Sequence, residues 1–259
     1  MTSLPFPAAD RVLCWFSCGA ASAVAADLAV KKYGSRAEVL YCDTFAHEHP
    51  DNRRFFADVE RWIDHPIKVI RSAEYTDIYD VFLKTRWLVG VAGARCTTEL
   101  KKKVRWAYQR PDDAHVFGFT AEEAHRAARF RAENPELSAE FPLIDAGITK
   151  LECHRIIAAA GIETPALYHM GYKNNNCIGC VKGGAGYWNK IRVDFPEVFA
   201  RMAATERELG AAINKTYKGG TRRRVFLDEL PVGAGKYETE PDVECGVLCV
   251  APAAEDTTK

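Results

Sequence analysis

The chain has 259 residues, enough for one well-covered core or for a core with a small appended lobe. Its 47% hydrophobic content argues against wholesale disorder, and its 35 basic residues balance 35 acidic ones. That zero net charge lowers the expectation of a nucleic-acid partner without excluding one, and no stretch approaches the roughly 20 apolar residues of a membrane span.

In chain order, Arg11 to Phe16 (RVLCWF) predicts a first buried strand, and Ser17 to Ala20 a small-residue turn. The Ala-rich stretch Ala21 to Tyr33 has apolar spacings of three and four and predicts a helix closed by Gly34. Val39 to Cys42 is a second strand ending at Asp43. Asp51 to Ile63 carries an apolar stripe of Phe55, Phe56, Val59, Trp62 and Ile63 and predicts a helix, followed by a third strand at Pro66 to Ile70. Tyr75 to Arg110 reads as mostly helical, broken at Gly90 to Ala94. His115 to Phe119 is a fourth strand, Ala121 to Arg131 a charged helix, Phe141 to Ile144 a fifth strand, and Thr149 to Ala160 a helix. Beyond Pro165 the composition turns to Asn, Gly and Cys. Asp194 to Leu209 returns as one amphipathic helix, and Val232 to Lys236 is a turn.

Strands alternating with helices at this spacing imply parallel βαβ units. The expected fold is α/β: a doubly wound, mostly parallel five-stranded sheet of Rossmann-like type over residues 1–165. A Cys-rich lobe at 166–250 and a flexible tail at 251–259 follow. The N-terminal residues lack a basic segment and an apolar run, so the expectation is a cytoplasmic protein with no membrane attachment. In that compartment the nine cysteines point to metal or redox chemistry for a subset rather than to disulfides. Cys14, Cys42 and Cys153 sit in apolar patterns and read as small buried hydrophobes.

The turn Ser17-Cys18-Gly19-Ala20-Ala21-Ser22 sits between a strand and a helix, where small residues let backbone N–H groups approach an anion. FSCGAAS before an Ala-rich helix resembles the pyrophosphate loop (PP-loop) of the adenine nucleotide alpha-hydrolase superfamily, usually SGGxDS. VLYCDTFAHEHPDN, GFTAEEAHRAAR and FPLID resemble, in order, later motifs of the phosphoadenosine phosphosulfate (PAPS) reductase family, so the likeness runs from about Arg11 to Ile162. Ala21 replaces the Asp of SGGxDS and Cys18 its first Gly. Loss of that carboxylate favours the sulfonucleotide-reductase branch over ATP-cleaving ligases. The resemblance implies an adenine nucleotide as substrate, with Ser17, Cys18, Gly19, Ala20, Ser22, Asp43, Thr44 and Gly118 around it. Arg95, Arg126 and Arg129 are the anion contacts, because Arg is the better fork for phosphate or sulfate.

Cys177-Ile178-Gly179-Cys180 is the sharpest local signal, a Cys-x-x-Cys with Gly inside and after it. Ala94-Arg95-Cys96-Thr97 resembles the Cys-bearing helix start of adenylylsulfate (APS) reductases, which hold a four-iron cluster with a Cys pair there. Here Cys96 stands alone, so beside Cys96, Cys177 and Cys180 the fourth ligand is Cys245 or Cys249 or else exogenous, with Cys245 favoured, around a 4Fe–4S cluster, zinc being the alternative. Glu244-Cys245-Gly246 also matches the Glu-Cys-Gly-Leu-His ending whose Cys attacks sulfate sulfur, although Leu248 replaces the His. Cys245 and Cys249 are therefore the candidate catalytic thiols, and Cys245 is either nucleophile or ligand. The implied function is PAPS/APS reductase-like sulfur reduction or transfer, with a thiol electron donor as partner. The alternatives are an iron–sulfur-dependent nucleobase or tRNA thiolation enzyme, and a non-catalytic nucleotide-binding protein with structural zinc. A homodimer is compatible with either. Arg222-Arg223-Arg224 after Gly219-Gly220 is a basic run that the resemblance does not use, and Tyr187 and Trp188 read as packing over the metal lobe, with stacking on a base the alternative.

Overall fold

The computed structural model describes residues 9–90, 93–218, 221–241 and 243, with 216–218 and 221–222 as main chain only. Five strands form one all-parallel sheet: β1 (Val12–Phe16), β2 (Ala37–Cys42), β3 (Ile67–Ile70), β4 (Ala114–Phe117) and β5 (Ser138–Glu140). Their spatial order is β3-β2-β1-β4-β5. The chain thus winds outward from β1 in one direction and returns to β1's other side, which makes the β1–β4 boundary the topological switch point. The principal helices are α1 (Ala20–Tyr33), α2 (Asn52–Trp62), α3 (Ile78–Thr85), α4 (Ala124–Glu133), α5 (Lys150–Ala159), α6 (Ala185–Asp194) and α7 (Pro196–Leu209).

All five residues of β1 are buried, as a parallel strand covered on both faces requires. Its alternation divides the core. Val12, Cys14 and Phe16 pack with α1, with Phe55 and Val59 of α2 and with Cys153 and Ile157 of α5. Leu13 and Trp15 face the opposite layer with Val104, Phe117, Phe130 and Phe141. Cys14, Cys42 and Cys153 are buried, as their apolar settings predict.

A third apolar cluster joins Tyr79, Phe82 and Leu100 to Cys180, Trp188, Met202 and Leu227. It therefore combines residues 75–100 with 167–230, so the surroundings of Cys180 are not built from the C-terminal segment alone. Among the described residues no helix is long and apolar enough to cross a membrane.

Three local expectations are corrected. The fifth strand is Ser138–Glu140, not Phe141 to Ile144; Pro142–Asp145 is a helical turn with Pro142 in its first positions. Proline has no N–H for a ladder and its fixed φ suits a helix start. The amphipathic helix begins at Pro196, because Asp194 ends α6 and Phe195, with φ −141° and ψ 65°, is non-helical before the proline. An antiparallel hairpin, β6 (Asn214–Lys218) with β7 (Thr221–Val225), stands where no strand is predicted.

Candidate functional site

A cavity of about 390 Å3 opens at the switch point, above the C-terminal ends of β1, β2 and β4. Its floor is the first βα turn, Ser17 and Gly19 to Ser22. Trp15, Phe16, Phe117 and Phe119 wall it, and Lys101, Arg126 and Lys150 bring cations to it. Glu122, Glu123, His125, Tyr168 and Asn174 to Asn176 complete most of the rest.

Sequence shapes the turn through one hydroxyl. Ser22 Oγ accepts from the Ser17 amide (3.1 Å) and donates to the Gly19 carbonyl (2.9 Å), folding the turn back on α1. Tyr168 Oη lies 3.4 Å from the Ala20 amide at the helix start. Gly118, the residue after β4, lies against this turn. A Cβ there would stand 2.7 Å from Ser22 Cα and 2.9 Å from Ser22 N, so only glycine lets β4 approach α1 so closely. Ser17, Gly19, Ala20, Ser22, Gly118 and Arg126, all predicted from sequence, are thus brought together.

The other predicted contacts sit elsewhere. Cys18 is fully buried beneath the turn with a left-handed φ of 55°, and burial pushes its thiol well above the ordinary value. That left-handed conformation is one glycine adopts without cost and other residues rarely do, and Cys18 does not line the cavity. Asp43 pairs with Arg71 (2.9 Å) and accepts the Phe45 amide. Thr44 donates to Glu48 Oε1 (2.5 Å). Arg95 pairs with Glu99 (2.9 Å), and Arg129 lies 4.0 Å from Glu133 on an exposed face. Arg126 remains at the cavity, paired with Glu123 and stacked 4.4 Å from the centre of the Phe119 ring.

Sequence reading missed Lys150 and the Asn174–Asn176 stretch, whose only signal is three asparagines before Cys177. Asn175 donates to the Cys18 carbonyl (2.6 Å) and to Asn52 Oδ1 (2.9 Å), and Asn52 in turn donates to Glu48 Oε2 (2.6 Å). Thr44, Glu48, Asn52 and Asn175 are all buried, so this polar chain fixes the asparagine loop to the cavity floor. Lys150 Nζ donates to the Lys173 carbonyl (2.7 Å) and Asn174 Oδ1 (2.9 Å). Asn176 and Asn174 donate to the Val243 carbonyl (2.6 and 3.4 Å), two residues before Cys245 in sequence.

The Cys177–Cys180 turn is organised by protein groups. Tyr187 Oη accepts from the Gly179 (3.0 Å) and Cys180 (2.9 Å) amides, and the Ile178 amide donates to His47 O (2.7 Å). Burial pushes the Tyr187 hydroxyl well above its ordinary value, which keeps its proton for the Cys177 carbonyl. Cys96 packs against the apolar cluster that contains Cys180. Among the described residues no three His, Cys, Asp or Glu side chains group to hold a metal. The described thiols therefore do not by themselves make a cluster site, and Cys245 and Cys249 lie outside the described residues. No protein-family model matches the chain, and no curated protein matches it.

Proposed function

We propose that the chain binds an adenine sulfonucleotide in the switch-point cavity and reduces or transfers its sulfur, as a PAPS/APS reductase-type enzyme. The observation that carries this reading is a single cavity built jointly from the first βα turn, the glycine approach of β4, an aromatic wall and three cations. The amides of α1's first turn and the dipole of a 14-residue helix suit a phosphate. Trp15, Phe117 and Phe119 suit an adenine ring, and Lys101, Arg126 and Lys150 suit the remaining negative charge.

In this reading the Cys245 thiolate attacks the sulfur of the nucleotide's sulfate. The S–O bond to the nucleotide phosphate breaks, the phosphate oxygen keeps the electron pair, and an S-sulfonated cysteine remains. A thiol electron donor then attacks the cysteine sulfur, sulfite leaves, and a mixed disulfide is resolved by the donor's second thiol. Reducing donors of this kind fit the cytoplasm. Cys96, Cys177 and Cys180 are proposed as structural thiols, with iron and acid-labile sulfide analysis of anaerobic protein deciding between a 4Fe–4S cluster, zinc and neither. No chemical step is assigned to a metal.

Sulfite release from APS and from PAPS with a dithiol donor tests the proposal. Release that Cys245→Ser abolishes and Cys249→Ser leaves intact is the expected result. Absence of release from both nucleotides, by protein that binds them, would remove the reductase reading.

A further inference from the structure

Among the described residues none from the β6–β7 hairpin lines the cavity, and the hairpin is a local concentration of positive charge. It holds five cations, Lys215, Lys218, Arg222, Arg223 and Arg224, and there is no acid from Ala211 to Val225. The chain as a whole is neutral, so this is a local concentration. Beyond the hairpin, Arg207 pairs with Asp228 (2.7 Å) and Glu229 (2.6 Å). Lys215, Arg223 and Arg224 are exposed.

Register distributes these cations. Lys215 lies opposite Arg224, Thr216 opposite Arg223, Tyr217 opposite Arg222 and Lys218 opposite Thr221. Directly opposed residues share a face and successive rungs alternate. Lys215, Arg222 and Arg224 thus hold positions on one face of the ribbon, and Lys218 and Arg223 on the other. Every rung from Lys215 to Lys218 has at least one cation.

The ribbon is also rigidly mounted. Buried Glu206 of α7 accepts the Ile213 amide and the Leu227 amide, each at 2.5 Å, so one carboxylate grips both roots of the hairpin. Arg224 adds bonds to the Ala212 (2.9 Å) and Ile213 (3.2 Å) carbonyls.

We propose that this hairpin is a second binding site, for the phosphate backbone of a double-stranded nucleic acid. A two-stranded ribbon enters a groove, where phosphates flank it on both sides, and a ribbon cationic on both faces matches that surrounding charge. A flat anionic membrane would engage one face only, and the strands carry no aliphatic residue between Asn214 and Val225 to insert. Three of the five cations are arginines, whose planar forks fit phosphate oxygens. This inference stands independently of the nucleotide reading of the cavity.

The test uses the full chain and fluorescein-labelled 20-base-pair RNA and DNA duplexes, with polyglutamate and phosphatidylserine vesicles as competing probes. Binding of at least one duplex is expected to weaken with salt, with log K falling about 4 units per decade for the phosphates neutralised. Lys215→Glu/Arg223→Glu should weaken it at least tenfold and lower that slope by about 2. Lys215→Gln/Arg223→Gln should act in the same direction by a smaller factor. Both pairs should leave thermal stability and nucleotide binding in the cavity unchanged. Equal duplex binding by wild type and variants, no duplex binding in 50 mM salt, or preference for polyglutamate or vesicles would each overturn the proposal.

Discussion

Gly118→Ala isolates the geometry on which the cavity depends. The new Cβ would lie 2.7 Å from Ser22 Cα, 2.9 Å from Ser22 N and 3.0 Å from the Ala21 carbonyl carbon. The closest of these is roughly 0.8 Å inside an ordinary carbon–carbon contact of about 3.5 Å. All three are backbone atoms of α1's first turn, so no side-chain rotation relieves the clash, and β4 and α1 must move apart. Overpacking of this kind costs about 1–3 kcal/mol, or roughly 2–12 °C in Tm for a chain of this length. The displaced turn is the floor of the cavity, so nucleotide affinity should fall at least tenfold, which is about 1.4 kcal/mol. For stability alone, Gly19→Ala is the control, because its Cβ would come no closer than 3.6 Å to Tyr168 Oη and its φ is −101°. Differential scanning fluorimetry and calorimetric titration with APS report both quantities. If Gly118→Ala binds and melts like wild type, or if Gly19→Ala lowers Tm more than Gly118→Ala, the close-approach argument is wrong.

Other outcomes follow from the buried polar groups. Asn175→Ala removes the donor to Cys18 O and Asn52 Oδ1 and should cost about 1–3 kcal/mol, seen as a lower urea midpoint at unchanged m. Burial pushes the Glu206 carboxyl up from 4.5 to about 7, so the folded chain keeps a proton that the unfolded chain releases. That contribution to stability is complete below pH 4.5 and is lost as pH rises through about 7. Glu206→Gln should flatten this fall in a Tm-versus-pH series, and an unchanged slope would count against the assignment. Burial lowers His115 from 6.5 to about 4, with Trp15 Nε1 donating to its Nδ1 at 3.1 Å. Its contribution has the opposite sign, complete above pH 6.5 and lost as pH falls through about 4. An imidazole NMR resonance that titrates at its ordinary midpoint would contradict that burial.

The sheet was legible because its strands are short buried runs separated by helices of amphipathic or Ala-rich pattern, and those periods survive in any tertiary setting. Cavity residues at strand ends, Ser17 and Gly118, and Ser22 in the first turn of α1 were legible for the same reason. Asp43 and Thr44 lie at the right strand end as well, but their side chains are taken by Arg71 and Glu48, a choice set by neighbours distant in sequence. Lys150 and Asn175 reach the cavity through long-range hydrogen bonds that no local pattern encodes. The β6–β7 hairpin escaped notice because its strands are polar and cationic, without the alternation that marks a half-buried strand.

Hydrogen–deuterium exchange of the full chain with and without saturating APS most directly tests whether the switch-point cavity holds an adenine sulfonucleotide. Slowed exchange concentrated in residues 17–23, 117–120 and 174–176 is the result the account predicts. No protection on addition of nucleotide, or protection confined to segments away from the ends of β1 and β4, would contradict it.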